Sequence, residues 1–357
     1  MLFLKESDMF NPMLDAMTSM ARLSPWKAAP SAFGLSSISP APAPQMKPIA
    51  PRKTAQFLSE RFIAAGGSLR YKLFVPAAYD SAGAPLPLLV MLHGYGQDAD
   101  DFARGTGMNA LAEKYNCLVA YPEQACDAYG ARCWNWFEQA HHHRGQGEPA
   151  LIAGVASRIM SEYAVDAGKV FVAGLSSGGA MAVIVGRTYP DLFAAVGCHS
   201  GLAHGAACDR FGAMQAMLHG AVVDADYGAV VDANHGVHYG VHYNSQAADS
   251  VPTIVFHGDL DSTVHPNNAR HVVEQTIRTN MLASHCPPSR EIGEATGRSF
   301  TRDIHRSKSG EIVAEQWTVH GAGHAWSGGS RRGSHTDASG PDASEAMLRF
   351  FIRSASA

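Results

Sequence analysis

No apolar run in this 357-residue chain approaches the roughly 20 residues that a bilayer-spanning helix needs, so nothing in it reads as a membrane span. Blocks of basic charge are missing as well. Lys and Arg number 28 against 32 Asp and Glu, and the resulting net charge of −4 argues against a nucleic-acid partner. Cysteine is scarce. Six of them (Cys117, Cys126, Cys133, Cys198, Cys208, Cys286) in so long a chain do not make a disulfide scaffold. No C-x-x-C or His/Cys pattern has zinc-site spacing. Cys126 and Cys133 bracket a polar loop, where they either close a small ring or stay thiols; the spacing allows both. A secretion signal is not visible either, because Glu6 and Asp8 interrupt the apolar start before a signal core can form.

What the chain does contain is the material of a globular α/β protein. Apolar residues at 46% against 17% charged suit a large core, and the length suits one big domain with additions. Residues 11–23 read as a short amphipathic helix. Residues 24–51 hold seven of the nineteen prolines, spaced by Ala and Ser, as in a linker. The expected organisation is therefore a disordered arm over 1–53 and one folded domain over 54–357. Within the domain, residues 69–75 alternate like an early antiparallel strand. Residues 86–92 are continuously apolar, like a strand buried on both faces. Helix signals at 110–115 and 150–163 separate strand signals at 117–121 and 170–175. Further strands are expected at 193–199, 251–256 and 315–319. Strand–helix alternation implies a mostly parallel, doubly wound sheet with helices on both faces, whose reactive groups gather at the carboxyl ends of the strands.

The strongest such strand end is Gly174-Leu175-Ser176-Ser177-Gly178, a G-x-S-x-G between an apolar strand and a helix-compatible run. Ser176 at the apex of a sharp strand–turn–helix would expose its Oγ above the sheet, and the amide of Ser177 would face a forming oxyanion. The flanking glycines fit a turn too tight for side chains. A second strand end, His93-Gly94-Tyr95-Gly96, can turn the amide of Tyr95 inward as a partner donor. A third, residues 257–264, offers two carboxylates. Asp259, early in the turn, suits local capping, whereas Asp261 lies further out, where it can orient an imidazole on a neighbouring loop. After the last strand comes Gly321-Ala322-Gly323-His324-Ala325-Trp326. His324 is one of eighteen histidines, but its position completes the chain order Ser, Asp, His and makes it the expected general base.

Together these segments, with Gly323-His324-Ala325-Trp326-Ser327-Gly328-Gly329, resemble poly(3-hydroxybutyrate) depolymerase-type esterases. That group of α/β-hydrolases is related to feruloyl and acetylxylan esterases. Cys133-Trp134-Asn135-Trp136-Phe137, Arg144-Gly145-x-Gly147-Glu148-Pro149 and Gly340-Pro341-Asp342-Ala343 are similar to segments of the same family, and the resemblance covers residues 68–350. It implies Ser176 as nucleophile, His324 as base and Asp261 as orienter, hydrolysing an ester or polyester substrate without metal or cofactor. It also leans towards an extracellular protein, against which stands the missing signal; a cytoplasmic location is the alternative, and the absence of a visible polymer-binding domain weakens the case for attack on crystalline granules.

Substrate choice between a short-chain hydroxyalkanoate polyester and a feruloyl or acetyl ester of plant polysaccharide lies in loop shape, which the sequence does not give. A non-catalytic relative used for binding is a third reading. Trp134, Trp136 and Phe137 could line an apolar wall for an acyl chain or pack as core, and Trp326 could flank the cleft. His141-His142-His143 is expected on a solvated loop rather than around an ion. Residues 213–249, with their tandem Gly-Val-His-Tyr repeat at 236–243, read as an insertion: a surface excursion or a flap over the site.

Overall fold

In a computed structural model, the described residues are 54–126, 131–221, 230–232, 236–238, 251–279 and 287–355. The expected arm over 1–53 lies outside them. Ten strands build one sheet: β1 (Gln56–Ala64), β2 (Gly67–Val75), β3 (Leu86–Leu92), β4 (Leu118–Glu123), β5 (Val165–Leu175), β6 (Ala195–His199), and four more after a short hairpin. The hairpin is β7 (Val230–Asp232) with β8 (Gly236–His238). Then come β9 (Thr253–Gly258), β10 (Ser289–Ala295), β11 (Arg298–Arg306) and β12 (Ile312–Val319). Two-residue strands β13 (Trp326–Ser327) and β14 (Thr336–Asp337) pair with each other.

The sheet order is β1-β2-β4-β3-β5-β6-β9-β12-β11-β10. Neighbours from β4 through β12 run parallel, while β1, β2, β11 and β10 close the two flanks antiparallel. Period-two alternation of apolar side chains explains why the parallel centre is covered on both faces. Leu88, Val90 and Leu92 of β3, with Val170 and Val172 of β5, point into one core. Leu89, Met91, Phe171, Ala173 and Leu175 point into the other. Helices α1 (Ala99–Thr106), α2 (Met108–Tyr115) and a C-terminal helix (Ala343–Ser354) cover the second face. Helices over Gly147–Glu162, Ser177–Thr188 and Asn267–Thr279 cover the first.

A helix over Arg210–His219 also belongs to the first face, with Ala213, Ala216 and Met217 buried. Of the insertion expected over 213–249, the opening residues thus pack into the body, because an Asp209 N-cap and small apolar residues make a core helix there. In the tandem repeat, Gly236–His238 forms β8, and the second copy lies outside the described residues.

The flank β11–β10 is latched to the body by charge. Glu315 on β12 is 1% exposed and accepts both Arg302 of β11 and Arg353 of the last helix. A carboxylate so buried is stable only when fully paired.

Candidate active site

The parallel strands end in register. Leu92 pairs with Gly174, Leu175 with His199, His199 with Phe256, and Val319 with Gly258. The loops that follow therefore start from one rim, and the residues singled out in the sequence lie on them.

At the end of β5 the chain reverses into the helix Ser177–Thr188 through Ser176, which adopts φ 56°, ψ −119°. A non-glycine residue there stores strain that the surroundings must hold. Its amide donates to the His199 carbonyl at 2.8 Å and its carbonyl accepts from Ala180 N at 2.9 Å. Close backbone approach explains the flanking glycines. A Cβ on Gly174 would overlap the Gly178 carbonyl and sit 2.7 Å from the Leu92 oxygen; one on Gly178 would strike the carbonyls of Leu92 and His93. The sequence expectation of a tight strand–turn–helix matches this geometry.

The turn after β3 commits its amides unevenly. Gly94 N donates to Gln97 Oε1 at 2.9 Å, Gly96 N to Ala131 O at 3.0 Å and Gln97 N to Gly94 O at 3.3 Å. Among the described residues, Tyr95 N finds no intramolecular acceptor. Ser177 N, the first amide of its helix, has no acceptor within the helix. The turn is braced from below. Trp134 Nε1 donates to the His93 carbonyl at 3.0 Å, and His93 Nε2 accepts from Gln124 N at 3.0 Å. Gln97, 2% exposed, is itself gripped by Asp101 and by the carbonyl and hydroxyl of Ser334.

Beyond β9, Asp261 Oδ1 accepts the amides of Thr263 and Val264, both at 2.9 Å. Oδ2 lies 2.7 Å from His324 Nδ1 and 3.3 Å from His257 Nε2. Burial opposes the charge on Asp261, but the hydrogen bonds from His257 and His324 outweigh it and hold the carboxyl far below its usual range. An ionised carboxylate only accepts, so the hydrogen of this bond sits on His324 Nδ1, and the ring turns Nε2 away from Asp261. Gly258 permits this approach of loops: a Cβ there would lie 2.7 Å from the Gly323 oxygen, at the foot of the His324 loop. Asp259 does something different. It accepts from Gly321 N at 2.7 Å and His320 Nδ1 at 2.8 Å, pinning the turn to the end of β12 rather than capping its own backbone.

The tryptophans expected at the cleft are core residues. Trp134, Trp136 and Trp326 are 0%, 1% and 0% exposed, so none presents a face to an acyl chain. Each spends its bulk on packing, and two spend the indole N–H inside the protein, on His93 O and on Ser344 Oγ. The polar segment around Trp134 is held by Glu148, which accepts from Asn135 N, Asn135 Nδ2 and Gln124 Nε2. The expectation for the histidine run also needs correcting. His142 is 3% exposed and packs at a tilt against buried His204, ring centroids 4.9 Å apart. A short 3-10 helix at Gln139–His142 turns it inward. Cys126 and Cys133 are both free thiols, and burial pushes the Cys133 thiol up to about 12. Among the described residues no group of three His, Cys, Asp or Glu side chains could hold a metal ion, and no helix is long and apolar enough to cross a membrane.

Sequence reasoning passed over Gln97, Glu148 and His199. Gln97 carries no motif, and Glu148 stood inside a family-like segment with no role attached to it. His199, a polar residue closing an apolar strand, was a signal of position but not of role.

Comparison with known proteins agrees with this architecture. The sequence profile of the family described as "Esterase PHB depolymerase" matches residues 69–298. Poly(3-hydroxyalkanoate) depolymerase C of Paucimonas lemoignei is 32% identical over 259 residues, 72% of this chain and 58% of that protein. This chain thus spans under two thirds of that relative. Acetylxylan esterase A of Talaromyces purpureogenus is 30% identical over 267 residues, 69% of this chain and 67% of that protein. Among solved structures, an acetyl xylan esterase from Aspergillus awamori superposes with a TM-score of 0.60 at 18% identity, covering 84% of this chain and 99% of the other. That likeness shows the fold: an α/β-hydrolase sheet flanked by helices.

Proposed function

Because this chain belongs to the esterase PHB depolymerase family, we propose that it hydrolyses carboxylic esters with Ser176 as nucleophile, His324 as general base and Asp261 as the carboxylate that orients the base. The observation that carries this is the Asp261–His324 hydrogen bond of 2.7 Å on the rim where Ser176 holds its strained turn. In the reaction, His324 Nε2 takes the proton of Ser176 Oγ as the oxygen attacks the ester carbonyl. The amides of Tyr95 and Ser177 receive the oxyanion. Its collapse expels the alcohol, which leaves with the proton from His324. Water, deprotonated by His324, then releases the acid and restores Ser176.

The substrate we propose is a short-chain polyhydroxyalkanoate, as polymer or oligomer, on the strength of the depolymerase relative. An acetyl or feruloyl ester of plant polysaccharide is the second reading, favoured by the acetylxylan esterase match, which spans more of its partner. Two assays separate them: 3-hydroxybutyrate released from amorphous polymer, and acetate or ferulate released from xylan esters. Ser176→Ala should lose turnover of a short p-nitrophenyl ester by about four orders of magnitude or more while keeping its fold. Turnover within tenfold of the parent would end the serine-esterase reading. Following the same family, we place the enzyme's action outside the cytoplasm. Recovery of the protein only from the soluble cytoplasmic fraction would reverse that.

A further inference from the structure

His199 is bonded to the turn that bears the proposed nucleophile and to the loop that bears the proposed base, once through its backbone and once through its ring. It closes β6, the strand between the one that ends at Ser176 and β9. Its carbonyl accepts the Ser176 amide at 2.8 Å, so it holds the strained apex directly. Its Nε2 accepts the backbone amide of Ser327 at 3.0 Å, three residues beyond His324. We propose that His199 is a positioning residue that locks the nucleophile turn and the base-bearing loop into one rigid unit. This rests on the reading of Ser176 and His324 as nucleophile and base.

The ring is fixed for the task. It lies nearly parallel to Trp326, centroids 5.0 Å apart and planes 24° apart, and to Phe256, at 5.8 Å and 18°. Its Nδ1 sits 3.1 Å from Ser200 Oγ. An amide can donate only to a bare nitrogen, so Nε2 is unprotonated and Nδ1 carries the hydrogen. Burial, reinforced by His257 and His324, lowers His199 to about 3 and keeps it in that neutral form. Ser327 is 2% exposed, so without the acceptor its N–H would be buried and unpaired. The loop's other bonds, among them His324 Nδ1 to Asp261, Ser327 Oγ to Pro341 O, Trp326 N to His335 O and Gly328 N to Ser339 O, do not reach the Ser176 strand. A displacement of about 1 Å between base and nucleophile is enough to cost about a hundredfold in rate.

The test compares His199→Phe, which keeps a flat ring but offers no acceptor, with His199→Gln, whose amide oxygen lies near the lost Nε2. Turnover is normalised to sites titrated by a fluorophosphonate. His199→Phe should lower kcat by about 10- to 100-fold with KM within about threefold, and His199→Gln should recover most of the loss. A residue that merely fills space would leave kcat per titrated site unchanged. If His199→Phe turns over within twofold of the parent, the proposal is wrong. Should His199→Phe not fold, ¹⁵N-histidine NMR of the parent protein decides: a bare Nε2 on His199 from pH 5 to 9 supports the clamp, and a protonated one overturns it. A parent enzyme that fluorophosphonate does not label would instead overturn the triad reading, with the NMR result still reporting on the clamp.

Discussion

Acidification from pH 8 to 5.5 should destabilise this protein steeply, and the cause is a set of buried neutral imidazoles. Burial lowers His93 to about 4, against a bond to Gly94 that raises it; His142 to about 4, helped by His141 and His143; and His199 to about 3. Each folded value lies below the unfolded one of about 6.5. The unfolded chain therefore binds more protons between these values, so stability is fully present above about pH 6.5 and is lost as pH falls towards the folded values. At pH 5.5, one unit below the unfolded value, each ring costs about 1.4 kcal/mol, and the three together about 4 kcal/mol. The atomic reason is plain for two of them. The Nε2 atoms of His93 and His199 accept the amides of Gln124 and Ser327, and a proton there would face an N–H. Such a loss is a large part of the total stability of an ordinary domain. Urea unfolding followed by tryptophan fluorescence at the two pH values measures it. A slope of about 3 kcal/mol per molar gives a midpoint lower by roughly 1 M at pH 5.5. His199→Gln should shrink the pH difference by about 1.4 kcal/mol, one ring's share. Equal midpoints at pH 8 and 5.5 would show that these rings are not held neutral, and the burial argument would fail.

Asp261→Asn should lower kcat by about three to four orders of magnitude with little change in folding, because the imidazole loses the partner that fixes its tautomer. Asp259→Asn should cost far less in steady-state assays, and equal losses would assign the orienting role wrongly. Gly178→Ala should abolish fluorophosphonate labelling or solubility, since the added methyl meets the carbonyls of Leu92 and His93; full labelling would refute the close approach. Trp134→Phe removes the indole bond to a buried carbonyl and should lower stability by about 1–3 kcal/mol, read by denaturant midpoint.

The strands buried on both faces were legible because residues 86–92 and 170–175 are apolar without break, and chain order pointed to Ser176, Asp261 and His324. The antiparallel flank β10–β11 was not legible. Its residues Ser289–Ala295 are exposed or half-exposed on both faces, so no apolar period marks them. Helix α1 was missed because Ala-Asp-Asp-Phe-Ala-Arg-Gly-Thr shows only one large apolar side chain. Burial of the tryptophans was not legible: Trp134 and Trp136 stayed open between cleft wall and core, and the acceptors of the Trp134 and Trp326 N–H groups lie far along the chain. His142 was similar, because its burial depends on a distant ring packed against it, that of His204.

The buried Glu315 sets a timetable for synthesis. An interior strand of the ten-stranded sheet, β12, is made after the other nine, and the second guanidinium on its carboxylate, Arg353, comes later still. The nascent chain can collapse around β3 to β9 earlier, yet β9 gains its second neighbour only when β12 is made. Folding during synthesis is thus discontinuous: the parallel centre can assemble early, and its β9 edge waits for a strand made later in the chain.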